Sequence, residues 1–380
     1  MTITTSEPER PTADMLRRLT DRRVFEQLLS VDSLTRAEIA ARTGISKPTI
    51  SESVRRLTDA GLVVESGRQV GSRGRAGTYY RLGTDETAAL AVSIGPDGVV
   101  ADTFDLKDRP VAHAERPVRA PVEGADLRPI LLATVAAVRE QTEGAIRSCV
   151  VSMAGPVNRW TGQLAASAYS PFLVGAFAPR EILRNMAPAV EVDNDVNWAA
   201  LAERTRGNAT DLDDFTLCYL GEGIGGAVVI DGSVVRGHRG LAGELAHART
   251  TGPGGHSRTL FECFAAWELL VPGSEAIDVG RVRATLESRS AADRRRAGEI
   301  AGAVAGVIGS VVALLDPQGV LVGGPWGSAS GFLHLLAERL DSGADASLVL
   351  RPTALSEAPY RTGIRIRAVA AARQAVADDF

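Results

Sequence analysis

Cysteine, lysine and aromatic residues are scarce in this chain. Its three cysteines, Cys149, Cys218 and Cys263, lie far apart without C-x-x-C spacing, so neither a disulfide framework nor a thiolate metal knuckle is implied. Lys47 and Lys107 are the only lysines among 42 basic residues; so much arginine beside so much alanine reads as coding bias. Aromatics make up 5% of a chain that is 45% hydrophobic, so Ala, Val and Leu must build its cores. The first residues, MTITTSEPERPTAD, are polar and lack an apolar signal core. No run approaches membrane-spanning length on inspection. A cytoplasmic location and no membrane partner are the resulting expectations.

What is present is an uneven charge. The chain has 380 residues, enough for two or three domains, and a formal net charge of −4. Up to Leu82 there are 14 basic and 10 acidic residues; the remainder has 28 and 36. A basic head on an acidic body suggests that only the head meets a polyanion.

The head has the periodicity of a small helical module. Residues 13–30 repeat apolar side chains at helical spacing. Thr35 and Glu38 form a capping-box pattern that opens a short helix. Thr43-Gly44-Ile45 is a turn, and Ser46 with Pro48 marks the next helix start. That helix places Ile50, Val54 and Leu57 on one face and polar residues on the other. Two short strands follow around a Gly-rich basic loop. This is the plan of a winged helix-turn-helix, whose second helix enters the major groove by its first turn. Ser46, Lys47, Thr49 and Ser51 face bases or phosphates on this reading, Arg55 and Arg56 hold phosphates, and Arg73 and Arg75 reach the minor groove from the wing. The competing reading of the module is a three-helix protein-interaction domain; turn, cap and wing together favour double-stranded DNA.

The body reads as two related α/β lobes. AALAVSIG, GVVADTFDL and RPVAHAERPV are strands, residues 127–144 a helix, and RSCVVSMAGPV a strand ending in a turn. DFTLCYLG, GAVVIDG and SVVRG begin the same order again, followed by helices near 260–270 and 292–315 and the strand GVLVGG. The expected division is a tail at 1–12, the head at 13–83, a first lobe at 86–200 joined by a C-terminal helix at 365–380, and a second lobe at 201–364. Asn194, Asp195, Glu244, His247 and Glu262 fall at the ends of strand-like runs. Oxygen acceptors with an imidazole suit a polyhydroxylated ligand. Arg236, His238 and Arg239 read as a surface basic patch.

The chain resembles the ROK family, which groups bacterial sugar-responsive repressors with sugar kinases. The matching motifs are AEIAARTGISKPTIS from Ala37, MAGPVNRWTG from Met153, DNDVN from Asp193, AGELAH ending at His247, LFE ending at Glu262, and, for a late V-x-G-G, the run VLVGG from Val320 to Gly324. The resemblance implies an actin-like, ribonuclease-H-like body behind the winged head. It also implies Asp195 as the position of the kinases' catalytic base, and Asn194, Glu244, His247 and Glu262 as sugar contacts.

Two departures from the family pattern argue against catalysis. Where its first phosphate loop reads D-x-G-G-T, this chain has Ser93-Ile94-Gly95-Pro96-Asp97, and where the second reads G-T-G it has Gly221-Glu222-Gly223. Proline deletes an N–H donor, and each new carboxylate opposes a phosphate by an amount on the order of 3 kcal/mol at ~5 Å. The cysteine positions of the family's zinc site hold Pro253, Gly255 and Leu260, so no zinc is expected. The expectation is therefore no catalytic residue, no metal and no cofactor. It is a regulator, with repression as its mode, that binds an inverted repeat as a homodimer or a tetramer built from it and answers to a sugar or sugar derivative. A sugar kinase with an appended head, and a DNA-binding protein with a vestigial, ligand-free body, are the alternatives.

Overall fold

A computed structural model describes residues 12–70, 76–83, 87–164, 172–340, 348–355 and 358–379. Arg73 and Arg75, with the loop tip between the two wing strands, lie outside the described residues.

The head contains α1 (Ala13–Leu29), β1 (Leu34–Thr35), α2 (Arg36–Thr43), α3 (Lys47–Asp59), β2 (Val63–Val70) and β3 (Ala76–Leu82), with the strands ordered β1-β3-β2. Its local signals work as the residues suggest. Thr35 and Glu38 satisfy each other's backbone N–H groups in a capping box, and Ser46 accepts from Thr49 N to start α3. Ile39, Ile50, Val54 and Leu57 are buried with Val24, Phe25 and Leu28 of α1. The exception to this apolar packing is Asp21, 5% exposed, which accepts from Ser53 Oγ at 2.5 Å and from both Arg56 Nε and Nη2 at 3.0 and 2.7 Å. Arg56 is therefore an internal strut from α3 to α1, which corrects its reading as a phosphate contact.

The first lobe runs through β4 (Thr87–Gly95), β5 (Gly98–Asp105), β6 (Pro110–Arg116), β7 (Val122–Glu123), α4 (Gly124–Glu140), β8 (Ala145–Met153), β9 (Leu173–Val174), α5 (Pro179–Ile182), β10 (Val190–Asn194) and α6 (Asp195–Arg206). Its main sheet is ordered β10-β8-β4-β5-β6. β4 is buried along almost its whole length, as a central strand covered on both faces must be.

The second lobe contains β11 (Phe215–Leu220), β12 (Ile224–Ile230), β13 (Ser233–Val235), β14 (Arg249–Thr251), β15 (Ser257–Thr259), α7 (Leu260–Ala266), α8 (Val279–Glu287), α9 (Ala291–Leu315), β16 (Gly319–Gly323), α10 (Phe332–Leu340) and β17 (Val349–Pro352). The chain ends in α11 (Pro359–Asp378). The sheet is ordered β13-β12-β11-β16-β17. In each lobe three antiparallel strands are followed by two that pair in parallel, so the repeat read from the strand order is present in the topology.

Alternation along β11 sends Cys218 and Leu220 into a core with α7, α9 and α10, and Phe215 and Leu217 into a core with α6. α6 lies between the lobes: Val196 and Ala199 pack on the second sheet, while Trp198 packs with α11 and donates to the Val151 carbonyl of β8 at 3.1 Å.

Two expectations need correction. The C-terminal helix starts at Pro359 rather than 365, so Gly363 is helical. α9 is 25 residues long with a mean hydropathy of 1.9 over 18 residues, so by length and composition it could cross a membrane, contrary to the reading of the sequence. Its Ala297, Ile300, Val304 and Ile308 are buried in the second lobe.

Candidate functional site

The turn after β10 builds the centre of a cleft between the lobes. Asn194 is the N-cap of α6: its Oδ1 accepts from Val196 N at 2.8 Å. Asp195 follows as the first helical residue and accepts from the same N–H at 2.8 Å. Behind them Asp193, 4% exposed, accepts from Asn194 N at 2.8 Å, Asn197 Nδ2 at 2.7 Å and Arg236 Nε at 2.5 Å. This buried carboxylate fixes the turn so that Asn194 and Asp195 face the cleft.

Glu244 and His247 approach from the second lobe, on either end of a 3-10 turn, Leu245–His247. Gly243 sets that approach. Its φ is +90°, and a Cβ there would overlap the Gly226 carbonyl of β12. Only glycine allows the segment to pass so near the strand and present the next residue inward.

The cleft encloses about 390 Å³, within the range of small-molecule sites. Asn194, Asp195, Glu244 and His247 all line it. Glu262 is not among its lining residues. Its carboxylate accepts from Thr259 N at 2.8 Å and caps α7, an engagement that holds its pKa below the usual range. The neighbouring Phe261 lines the cleft instead. A capping box and a ligand contact look alike in sequence, because both place Glu after an apolar pair at a helix start.

Burial pushes the Asp195 carboxyl up to about 7, with the Glu244 and Asp193 carboxylates adding to the rise against its hydrogen bond from Val196 N. Burial likewise pushes Glu244 up to about 7. Between the ordinary carboxyl values of 3.8 and 4.5 and about 7, the folded chain therefore holds more protons than the unfolded one. Its stability falls as pH rises through that window. Asp195→Asn removes the ionisable group at nearly constant shape. It should stabilise the ligand-free protein, with a gain that grows from pH 5 to pH 8 to on the order of 2 kcal/mol after screening by water in the cleft. Calorimetric unfolding at the two pH values checks this; a gain independent of pH would contradict it.

The two departed loops line the same cleft. Gly95, Pro96 and Asp97 form the tip of the β4–β5 hairpin, and Glu222 and Gly223 the tip of the β11–β12 hairpin. Asp97 and Glu222 are exposed, so water weakens the repulsion assigned to them from sequence, while the proline's missing N–H is unaffected. Tyr219, Glu275 and Tyr360 also line the cleft and were not singled out from sequence. Tyr219 is the last residue but one of β11, just before a glycine-rich turn, a signal that could have found it. Tyr360 sits at the start of a helix whose first turns went unrecognised.

The residues available for zinc do not fit it. His247 and His256 are exposed, and the intervening chain closes as the β14–β15 hairpin, with Gly252 N donating to the His256 carbonyl at 2.8 Å. Among the described residues no three of His, Cys, Asp and Glu are grouped to hold a metal. Arg236 is bound to Asp193, His238 and Arg239 are exposed, and none of the three lines the cleft.

In the head, Ser46, Lys47, Thr49 and Arg55 are exposed and Ser51 is half-buried. Lys47 and Thr49 share the first turn of α3 with the Ser46 cap. Arg55 pairs with Glu52 at 3.0 Å and Asp59 at 3.2 Å along its own helix, so it must exchange carboxylates for any phosphate it meets.

The head and cleft are joined by α11. Its first turn carries Tyr360 into the cleft. Its second turn packs on α6, where Gly363 lies so near the Trp198 carbonyl that any Cβ would overlap it. Near its end, Gln374 Oε1 accepts from Arg22 Nη2 of α1 at 3.3 Å. Alongside it, Lys107 Nζ donates to the Val31 carbonyl of the head at 2.6 Å. One apolar cluster accordingly runs from Val24 and Phe25 through Leu106 to Trp198 and Val369.

Comparison with known proteins places these parts. Residues 89–264 match the ROK family, and residues 18–73 the MarR family. The bifunctional enzyme NanE/NanK of Brucella suis biovar 1 is 34% identical over 165 residues, covering 43% of this chain and 31% of the enzyme. The DNA-binding transcriptional dual regulator NagC of Escherichia coli K12 is 23% identical over 239 residues, covering 62% of this chain and 58% of the regulator. The chain thus spans less than two thirds of these curated relatives. The crystal structure of a ROK family transcriptional regulator, a homologue of the E. coli MLC protein, superposes over 96% of this chain and 99% of its own with a TM-score of 0.70 and 18% identity, a likeness of fold.

Proposed function

For a chain whose residues 89–264 match the ROK family and whose residues 18–73 match the MarR family, we propose the role of a DNA-binding transcriptional regulator, a repressor, whose grip on DNA changes when a sugar or sugar derivative enters the cleft. The single observation that carries this reading is α11, one helix with Tyr360 in the cleft and Gln374 on the head. At 1.5 Å per residue its 20 residues span about 30 Å. A ligand shifts DNA affinity only by preferring one arrangement of the molecule. Closing the lobes on a ligand would tilt α6 and α11 together, and with them α1 and α3.

In this reading Asn194 Nδ2 donates to a ligand hydroxyl, while Asp195 and Glu244 accept from others and His247 does either. Ser46, Lys47, Thr49 and Ser51 meet the major groove, with Arg55, Arg73 and Arg75 on the backbone and wing. The operator is an inverted repeat read by a homodimer, because two symmetric heads fit two half-sites. Lys47→Ala should weaken specific binding at least ~5-fold and lower the salt dependence by about one counterion. Fluorescence anisotropy across a salt series, on a duplex the protein selects from a random pool, measures both. Unchanged affinity and slope would overturn the role of α3.

The kinase relatives make a second measurement necessary. The cleft supplies Pro96, Asp97 and Glu222 where a triphosphate would need N–H donors and positive charge. No sugar-dependent ADP release from Mg-ATP is expected. Turnover that disappears in Asp195→Asn would establish the enzymatic alternative.

A further inference from the structure

We propose that the cleft selects an amine-bearing polyol, a cationic sugar derivative, over its neutral and its anionic counterparts. This deepens the reading of the cleft as a sugar site and rests on it. The charge inventory of the cleft is one-sided. Five carboxylates, Asp97, Asp195, Glu222, Glu244 and Glu275, line it, and no guanidinium or ammonium does so among the described residues. The nearby Arg236, which could have met an anion, is held by the buried Asp193 behind the site.

The carboxylates fall into two tiers. Asp195 and Glu244 are half-buried at the floor with Asn194, in the part suited to hydroxyls, while His247 lines the cleft as an exposed side chain. Asp97, Glu222 and Glu275 are exposed at the mouth, each on a different loop. The last two loops are tied together, because Ile277 N donates to the Glu222 carbonyl at 2.8 Å. The rings of Tyr219 and Tyr360, each half-buried, line the same cleft. Both phenols are held above their usual range, chiefly by burial; the Asp97 and Asp195 carboxylates add to the rise, and at Tyr360 the adjoining Arg361 guanidinium opposes it.

Phenol rings flanked by carboxylates are the composition that receives an ammonium, through cation–π attraction and charge-assisted hydrogen bonds. Acetylating the amine removes its charge, and a phosphate ester brings like charge to the mouth.

The test compares hexosamines of gluco, manno and galacto configuration with their N-acetyl derivatives, their 6-phosphates and the parent hexoses, by isothermal titration at pH 7 on the full chain. One hexosamine should bind roughly tenfold more tightly than its N-acetyl form, the scale of one charge-assisted hydrogen bond, and its phosphate at least as much more weakly. Asp97→Asn with Glu222→Gln, both on exposed hairpin tips, should erase the preference for the amine, read as the ratio of amine to parent-hexose affinity on the same variant. A neutral or phosphorylated sugar that binds as tightly as the amine, or a preference that survives the double substitution, overturns the inference alone. If no sugar of any class binds, the sugar-site reading fails as well.

Discussion

Replacing Gly363 with alanine should destabilise the protein by about 2–3 kcal/mol and uncouple the head from the cleft. The added Cβ would overlap the Trp198 carbonyl, and that oxygen belongs to the backbone of α6, so no side-chain rotation relieves the contact. α6 and α11 must part. That movement disturbs Trp198, which is 2% exposed and bonded to β8, and Tyr360 at the cleft. Urea unfolding reads the stability. The ratio of DNA affinities with and without a bound sugar reads the coupling, and it should fall toward one while each ligand still binds. A Gly363→Ala protein with normal stability and an intact ratio would remove α11 from the account.

Asp21→Ala should act on the head with similar force but leave the cleft alone. The substitution strips two bonds from Arg56 and one from Ser53, which is fully buried. Breaking a buried charged pair costs about 3–5 kcal/mol; Arg56 is 33% exposed, which places the loss near the lower end. α3 would then lose its anchor to α1, and specific DNA binding should vanish at temperatures where sugar binding persists. Asp21→Asn keeps an acceptor for Ser53 and should lose about half as much. Thermal unfolding followed separately in head and body distinguishes the two. Equal losses in both regions would mean that Asp21 supports the whole molecule rather than α3.

How much of this was legible follows from how local each signal is. The head could be read almost residue by residue, because Thr35, Glu38, Gly44 and Ser46 act within one helical turn of themselves. The strand order of the body was legible from apolar runs, and Asn194, Asp195, Glu244 and His247 from the chemistry of their side chains and the family likeness. What escaped depends on neighbours distant in sequence. Gly363 reads as a helix breaker until α6 is seen against it. Glu203, fully buried at the end of α6, looks like a solvated acid, yet it accepts from Asn208 N and Leu355 N at 2.8 Å and so ties α6 to the segment before α11. Arg56 resembles Arg55, and only the position of Asp21 on another helix separates a strut from an exposed cation. Tyr219 and Tyr360 come from different lobes and meet only across the cleft.

The link between cleft and head is tested most directly by one titration. Labelled duplex selected by the protein is titrated with the full chain in the absence and in the saturating presence of a sugar whose binding has been established by calorimetry. Coupling through α11 requires the two dissociation constants to differ at least ~5-fold, the lower end of ordinary allosteric coupling. Identical constants with the cleft demonstrably filled would contradict it.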